Sequence, residues 1–386
     1  MKNRILVAFL AIALVATLAG FSACPAPKEE LPPVKIGLLR AFTGMVSDWG
    51  EETGQGVRIG LDEIGWEIAG RKVILIEEDA GDTPDVAVSK AKKLVEEDKV
   101  DVVIGPMLIH STKAVEAYLK PLGVVHISTG PLWGLESDHS FYTQYGSGKG
   151  NAYPNGLWCY DKLGARTAAL MYMDYLFGYQ NRDGFTQAFV ERGGTIIYDA
   201  PIPLGTAEMA PYLVAAAGKK PDVLVVFLLS PSVEAFLRQY HEYGLTVPVF
   251  MMGTVPRETT IQELGDKIAG MKGADPYTAE IDTPENKEFV SRVKAKYGCY
   301  PGDGHTIGYL PVIMYANAVE ALGGDTDAEK VTEKLLSVGT CHTPVGILTY
   351  KEGLRAPYID IYILEAVKKD RWCWDVIDVY RQVTPF

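Results

Sequence analysis

The sequence lacks the residue patterns that mark metal and nucleotide chemistry. Its 386 residues include five cysteines and six histidines, with no CxxC pair and no two histidines four residues apart. A zinc or redox centre is therefore not expected. Dinucleotide-binding glycine motifs and hydrolase motifs are also missing. The segment 146–150, GSGKG, has the composition of a phosphate loop but not its spacing, so no phosphate loop is predicted. We expect neither an enzyme nor a bound cofactor or metal.

Positive charge and long apolar runs are scarce as well. There are 37 lysines and arginines against 49 acidic residues, a formal charge of −12. This balance argues against nucleic acid as a partner and against electrostatic adhesion to anionic lipid. The apolar run at residues 5–18 is about 14 residues long, whereas a membrane-spanning helix needs about 20.

What the first 33 residues do contain is the pattern of an export signal. Lys2 and Arg4 precede the apolar run, and the segment 21–24, FSAC, matches the bacterial lipobox. We predict a signal peptide at 1–23, lipidation of Cys24 and a proline-rich tether at 24–33 that holds an exported body at a membrane. The alternatives are an ordinary secretory signal and an uncleaved N-terminal helix. Without Lys2 and Arg4 the mature chain has 35 basic and 49 acidic residues, a charge of −14.

Four cysteines follow Cys24 at widely separated positions: Cys159, Cys299, Cys341 and Cys373. An exported protein can form disulfides, and four cysteines allow three complete pairings that the sequence does not rank. At such wide spacing the expected outcome is free buried thiols or a single bridge.

Strand and helix patterns alternate from residue 34 onward. Apolar runs without polar alternation indicate strands buried on both faces, which is typical of parallel sheets. The alternation restarts near residue 167 and thus predicts two α/β lobes. The strands are predicted at 34–39, 73–77, 100–104, 124–127, 167–173, 195–198, 223–228, 249–252, 346–350, 358–365 and 372–379, with a hairpin turn at 352–353.

Ligands of open parallel sheets bind beyond the carboxyl ends of the strands. Helices begin there as well, and their free N–H groups favour anionic ligand atoms. The loops that should form the site are 40–49, 105–112, 128–133, 174–178, 228–232 and 253–258.

An ordered set of short motifs resembles the leucine/isoleucine/valine-binding family of solute-binding proteins. None is specific alone, but together they extend over residues 34–380. They are VKIGLL at 34–39, TG at 43–44, WGE at 49–51, VIGP at 103–106, VHIS at 125–128, DYLFG at 174–178, FLRQ at 236–239, MG at 252–253 and PVGILTY at 344–350 with EG at 352–353.

The resemblance implies a type I periplasmic binding protein fold, with two Rossmann-like lobes of parallel sheet joined by three crossover strands. By analogy the first lobe comprises 34–143 plus 274–344, and the second 144–273 plus 345–386. Such a protein is expected to be an exported monomer, periplasmic or on the cell surface. It would close on a small solute and deliver it to an inner-membrane ABC permease with its ATPase.

The chain departs from the family where amino-acid-binding members hold their ligand. Ile109 and Leu132 occupy positions whose hydroxyls would bind the ligand carboxylate, and Val255 occupies the position of the acid that pairs with the ammonium group. The expected ligand is therefore an apolar or aromatic organic acid. A one-residue shift in register brings in His110, Ser111, Thr112, Thr129 and Glu258 and leaves a branched-chain or other hydrophobic amino acid as an alternative. A sensor module that signals to a membrane receptor is a second alternative.

Positions matching the family's pocket are apolar and aromatic, with few polar groups. Trp133 neighbours these pocket positions, and its alternative role is to cap a loop. Phe177 and Tyr309 could instead belong to the hydrophobic core. An anionic ligand would use Arg40, His110 or Arg257. The predicted ligand-binding residues are Trp49, Leu108, Ile109, His110, Gly130, Tyr175, Phe177, Ser230, Arg257 and Tyr309.

Overall fold

The computed structural model describes residues 31–132, 138–229, 232–252 and 255–386. The N-terminal part of the chain forms the first of two sheets. Residues 33–386 form one unit. The predicted signal peptide, Cys24, Trp133 and Ser230 lie outside the described residues. The strands of the first sheet are β1 (Val34–Arg40), β2 (Glu67–Ile68), β3 (Arg71–Asp79), β4 (Val102–Ile104), β5 (Val125–Ser128) and β6 (Ser140–Tyr142).

The first sheet has the strand order β2-β3-β1-β4-β5-β6. All its neighbours pair in parallel except β2 and β3. The connecting helices are α1 (Ser47–Glu63), α2 (Pro84–Lys92), which continues as a π-helical turn at Lys93–Glu97, and α3 (Ile109–Leu119), which continues as a 3₁₀ turn at Lys120–Leu122.

The second sheet combines five parallel strands with an antiparallel pair at one edge. Its helices are α4 (Gly148–Asp161), α5 (Leu176–Glu191), α6 (Ala210–Gly218), α7 (Ser232–Glu242) and α8 (Glu258–Leu264), the last followed by a 3₁₀ turn at Gly265–Ile268. Its strands are β7 (Thr167–Met173), β8 (Thr195–Ile202), β9 (Val223–Phe227), β10 (Val249–Met251), β11 (Lys272–Asp275), β14 (Ile359–Lys368) and β15 (Trp372–Val383). Their order is β15-β14-β11-β10-β9-β7-β8, with β14 antiparallel to both β11 and β15.

Three further helices and a small hairpin lie between β11 and β14 in the chain. They are α9 (Pro284–Tyr297), α10 (Asp303–Ala321), α11 (Ala328–Leu336) and the hairpin β12 (Thr340–Thr343) with β13 (Gly346–Thr349). Val312 and Tyr315 of α10 are buried in the core of the first sheet, so the chain passes between the sheets three times: after β6, after β11 and before β14. The predicted fold class, two lobes with parallel sheets, is confirmed. We call the first sheet with its helices the first lobe and the second sheet with its helices the second lobe.

Two local predictions differ from the structure. The turn at 352–353 does not join a regular hairpin, because β13 pairs with β12 and only one bridge, Thr349 to Tyr358, links it toward β14. Helix α4 was not predicted, since its sequence GKGNAYPNGLWCYD is rich in helix-breaking residues. Its glycines allow close packing on α5: a Cβ on Gly156 would lie 2.5 Å from the carbonyl oxygen of Phe185. Tertiary packing therefore outweighs a poor intrinsic propensity.

The four cysteines beyond Cys24 are all unbridged, with Cys159 and Cys373 buried. Of the two outcomes that the sequence left open, the structure has free thiols. None of the helices in the described ranges is long and apolar enough to cross a membrane.

Candidate functional site

The loops at the carboxyl ends of the strands enclose a small apolar cavity between the two lobes. Its free volume is about 20 Å³, roughly the space of one water molecule. The lining residues come from both lobes and from the segment between them: Val46, Trp49, Met107, Leu108, Ile109, Pro131, Tyr145, Tyr175, Phe177, Phe227 and Leu229. The two lobes are thus nearly in contact across the cleft.

Aromatic side chains form the second-lobe wall of this cavity. Tyr175 stacks on Phe227 at a centroid distance of 6.3 Å and an interplanar angle of 23°, and Phe177 meets Phe227 edge to face at 5.4 Å. The N-terminus of α5 places Tyr175 and Phe177 here, because Tyr175 is its extended N-cap residue. Offset and edge-to-face contacts of this kind hold each ring in a defined orientation.

The first-lobe wall comes from α1 and from the start of α3. Trp49 lies in the first turn of α1, and Leu108 and Ile109, 7% and 2% exposed, are the N-cap and first residue of α3. Gly130, in the loop after β5, packs directly against the loop after β4: a Cβ there would lie 2.2 Å from the carbonyl oxygen of Met107. Gly130 therefore lets Met107 and Pro131 approach each other beside the cavity.

A cluster of buried carboxyl groups adjoins the cavity at Tyr145. The hydroxyl of Tyr145 donates to Asp303 at the start of α10. Asp275, at the end of β11, accepts the amide N–H groups of Val255 and Tyr277 at 3.2 and 3.0 Å. Burial raises the pKa of Asp275 and Asp303 above the usual range. An acid thus lies beside Val255 although the loop after β10 supplies none at that position.

Glu52 extends this cluster from α1. Its side chain is 16% exposed, and burial, followed by the negative charge of Asp303, raises its pKa to about 8. Burial also lowers the pKa of the neighbouring His305 to about 4. The neutral ring accepts the amide N–H of Gly302 through Nδ1, so it has no proton on that nitrogen to give to Glu52. At neutral pH Glu52 is therefore mainly protonated.

Arg257 bridges the two lobes at the edge of the same cluster. It is the N-cap of α8 in the second lobe, and its Nη2 lies 2.5 Å from Oδ2 of Asp48 in α1 of the first lobe. Its Nη1 lies 3.7 Å from Oε1 of Glu52. The Arg257 side chain is 16% exposed, whereas the Asp48 side chain is 63% exposed. This cross-lobe ion pair favours the closed arrangement.

Two hydroxyls near the first-lobe wall have no hydrogen-bond partner among the described residues. Ser111 Oγ lies in the first turn of α3, and Thr129 Oγ1 follows β5, both on residues no more than 2% exposed. Thr112 Oγ1, by contrast, donates to the carbonyl oxygen of Pro106 at 2.9 Å. Ser111 and Thr129 are thus buried hydroxyls without a partner in the described ranges, and neither is among the residues that line the cavity.

The structure brings together five of the ten predicted site residues, Trp49, Leu108, Ile109, Tyr175 and Phe177, as cavity walls. Gly130 and Arg257 lie beside the cavity, whereas His110 contacts the carbonyl oxygen of Asp82 through Nε2 at 2.9 Å. Tyr309 lines a different cavity and donates to Glu63 at 2.8 Å. Ser230 lies outside the described residues. Leu132, one of the positions where the chain lacks the hydroxyl of amino-acid-binding members, is 1% exposed and does not line the cavity.

Arg40, the other cationic candidate, is already neutralised within the first lobe. Its Nε donates to Glu77 at 2.7 Å and its Nη1 lies 3.3 Å from Glu51. The residues missed by sequence reasoning fall into two groups. Val46, Met107, Pro131 and Leu229 lie in loops that the sequence predicts to face the site, and Phe227 ends the strand before one of these loops. Tyr145, Glu52, Asp275 and Asp303 follow no such signal, because they lie outside those loops.

Comparison with known proteins places these features in a family. The family model described as "Periplasmic binding protein" matches residues 33–371. A Leu/Ile/Val-binding protein homolog 6 of Brucella abortus is 25% identical over 352 residues, covering 87% of this chain and 88% of the relative.

Two solved structures have closely similar folds. An ABC transporter substrate-binding protein from Sphaerobacter thermophilus is 28% identical with a TM-score of 0.84, over 91% of this chain and 98% of that one. A solute-binding protein of an ABC transporter from Rhodopseudomonas palustris, solved with 3,4-dihydroxybenzoic acid, is 24% identical with a TM-score of 0.85, over 92% and 98%. The extent of the family match, with the two-lobed fold and interlobe cavity, shows that the chain belongs to the periplasmic binding protein family.

Proposed function

We propose that this protein is the exported, lipid-anchored substrate-binding component of an ABC importer, and that it captures a small aromatic or apolar carboxylic acid between its lobes. The observation that carries the proposal is the composition of the cavity wall. Five of its eleven lining residues are aromatic, Trp49, Tyr145, Tyr175, Phe177 and Phe227. Such a wall binds the faces and edges of a planar ring.

The polar groups around the wall suit a carboxylate better than a zwitterion. Ser111 and Thr129 have free hydroxyls, and Ser111 lies at the N-terminus of α3, where unpaired N–H groups favour an anion. Protonation of Glu52 limits the repulsion that the carboxyl cluster would exert on an anionic ligand. The Rhodopseudomonas palustris relative, which holds a dihydroxybenzoic acid, supports the same class of ligand.

A hydrophobic amino acid is the second candidate, and one observation favours it. Asp275 is 3% exposed and accepts the amide N–H of Val255, so its carboxylate would pair with an ammonium group in place of the acid that the loop lacks. The name of the Brucella relative points the same way.

Ligand entry requires the lobes to separate, because an aromatic ring is several times larger than the present free volume of about 20 Å³. We propose that separation occurs at the three passages between the sheets, with lobe boundaries at 143/144, 273/274 and 344/345. Closing the lobes over the ligand would bury it and stabilise the closed state by its contacts to both.

A thermal-shift panel distinguishes the two ligand classes, because a ligand raises the apparent stability by mass action. We expect benzoate and its hydroxylated derivatives to stabilise the purified protein, and leucine, valine and phenylalanine to leave its melting temperature unchanged. Native mass spectrometry of freshly purified protein would detect a retained ligand directly. Stabilisation by the amino acids alone would replace the first candidate with the second.

The lipid anchor has its own test. Export of the full chain should yield a mature species that starts at Cys24 and carries a mass increase from its acyl chains, and that partitions into detergent. Replacement of Cys24 by serine should release the protein from the membrane fraction while leaving its ligand affinity intact. A soluble wild-type product without added mass would contradict lipidation and favour an ordinary secretory signal.

A further inference from the structure

A second, much larger cavity lies among the elements that follow β11 in the chain. Its volume is about 500 Å³, within the usual range of about 300–1,000 Å³ for small-molecule sites. It is enclosed by α9, α10, the end of α11 and the β12–β13 hairpin, and it shares no lining residue with the cavity between the lobes.

The floor of this cavity is apolar and aromatic. Phe289 and Tyr309 are 2% and 8% exposed and pack with ring centroids 4.9 Å apart at 55°. Leu310 and Leu348, 4% and 3% exposed, continue the floor from α10 and β13. An occupant therefore needs an apolar body, and the aromatic pair forms part of the surface on which it would lie.

The charged groups around that floor are mainly acidic. Glu63, Glu285 and Glu288 line the cavity against one lysine, Lys334. Glu288 pairs with Arg292 at 2.6 Å, and the same arginine lies 3.9 Å from Glu63, which also accepts the hydroxyl of Tyr309. Glu285, in the first turn of α9, is half-buried and has no ion-pair partner among the described residues. Lys334 is exposed on α11, on a different wall.

From this combination we infer that the cavity is a second ligand site, specific for a hydrophobic organic ammonium compound. The apolar body lies on Phe289, Tyr309 and Leu310, and the ammonium group pairs with Glu285. Carboxylates beside an aromatic pair attract a cation through charge and through the ring quadrupole together. The site is independent of the cleft ligand, so it stands whichever class of compound the cleft binds.

The test is titration calorimetry of the full-length protein with 2-phenylethylammonium, alongside the uncharged analogue 2-phenylethanol. We expect saturable binding of the amine and at least about fivefold weaker binding of the alcohol. Glu285→Gln should weaken amine binding by a similar factor, because the substitution removes the charge and keeps the shape. Glu333→Gln, an exposed position on α11 outside the cavity, is the matched control and should leave the affinity unchanged.

Two further variants locate the bound amine. Ser337 lines the cavity and is exposed, so Ser337→Trp should block entry and abolish binding without disturbing the core. Trp49→Ala, in the cleft, should leave amine binding unchanged. Loss of amine binding in Trp49→Ala with retention in Ser337→Trp would assign the amine to the cleft and overturn the inference. Equal binding of the amine and the alcohol, or no saturable binding, would overturn it as well.

Discussion

Trp49 is the first-lobe aromatic residue that faces the rings of the second lobe across the cavity. We predict that Trp49→Ala weakens binding of the best aromatic acid from the thermal-shift panel by at least about tenfold, since truncation of a central aromatic contact typically costs over about 1 kcal/mol. Titration calorimetry measures the change. Trp66→Ala is the control, because Trp66 is 37% exposed and bonds to Asp62 away from the cavity. Unchanged affinity in Trp49→Ala would remove this residue from the binding site.

Glu52 links the protonation of the site to the stability of the fold. Its pKa rises from 4.5 to about 8 on folding, so the folded state binds a proton that the unfolded state releases. The stability is therefore greatest below the unfolded pKa and is lost as the pH rises toward 8. The lowered pKa of His305 makes the stability increase with pH, but only below the unfolded pKa of 6.5. The contribution of Glu52 to the pH dependence of stability is therefore best measured between pH 6.5 and 8.

We predict that Glu52→Gln reduces the loss of stability between pH 6.5 and 8 by on the order of 1–2 kcal/mol. Urea denaturation at the two pH values measures this difference. The variant should still lose some stability as the pH rises, because burial also raises the pKa of Glu258, to about 7. Glu333→Gln is the control and should lose as much stability between pH 6.5 and 8 as the wild type. A Glu52→Gln variant with the full wild-type loss would mean that Glu52 is already ionised in the folded protein.

At the scale of secondary elements, the loops after β4 and β5 position the first-lobe wall through one close contact. Gly130→Ala would put a Cβ 2.2 Å from the carbonyl oxygen of Met107 and force the loops apart. We predict a loss of about 1–3 kcal/mol in the free energy of unfolding, the usual cost of overpacking, and weaker aromatic-acid binding. Urea denaturation and calorimetry measure the two effects. Gly218→Ala, where no atom lies within 4 Å of the added Cβ, should change neither; equal behaviour of the two variants would contradict the role given to Gly130.

The elements that the sequence predicted best are those whose local pattern agrees with their final environment. The strand at Thr167–Met173 has the predicted bounds, because its continuous apolar run agrees with burial on both faces of the sheet. Helix α4 and strand β11 were missed, since the first is stabilised by packing on α5 and the second, KGAD, is only four residues long. Their structure depends on partners remote in sequence.

The same distinction applies to the site. Trp49, Leu108, Ile109, Tyr175 and Phe177 were named from the resemblance to the family's pocket positions, and each lies in a loop that follows a predicted strand, where the carboxyl ends of parallel strands converge. The carboxyl cluster was not predictable, because Glu52, Asp275 and Asp303 come from a helix face, a short strand and a helix start that only the passages between the sheets bring together. The position of Tyr309 depends on the rotation of α10, which the sequence alone leaves open.

At the scale of the whole molecule, Arg257 forms an ion pair between the two lobes near the cleft. Its pairing with Asp48 joins α8 of the second lobe to α1 of the first, and its Nη1 lies 3.7 Å from Oε1 of Glu52, which is mainly protonated. The Asp48 side chain is mostly exposed, so the pair should contribute at most about 1 kcal/mol. Even this amount changes the ratio of closed to open molecules several-fold when the two states have similar free energies.

We predict that Arg257→Gln shifts the ligand-free protein toward the open state. Small-angle X-ray scattering should show a larger radius of gyration than for the wild type, and aromatic-acid affinity should fall about two- to fivefold, because closure then costs more of the binding free energy. High salt should produce a similar change in the wild type by screening the exposed pair. Arg192→Gln, which breaks a surface pair with Asp161 within the second lobe, should leave both quantities unchanged. If Arg257→Gln keeps the wild-type radius at low and high salt, the closed arrangement must instead be held by the apolar contacts of Trp49, Tyr175 and their neighbours across the cavity.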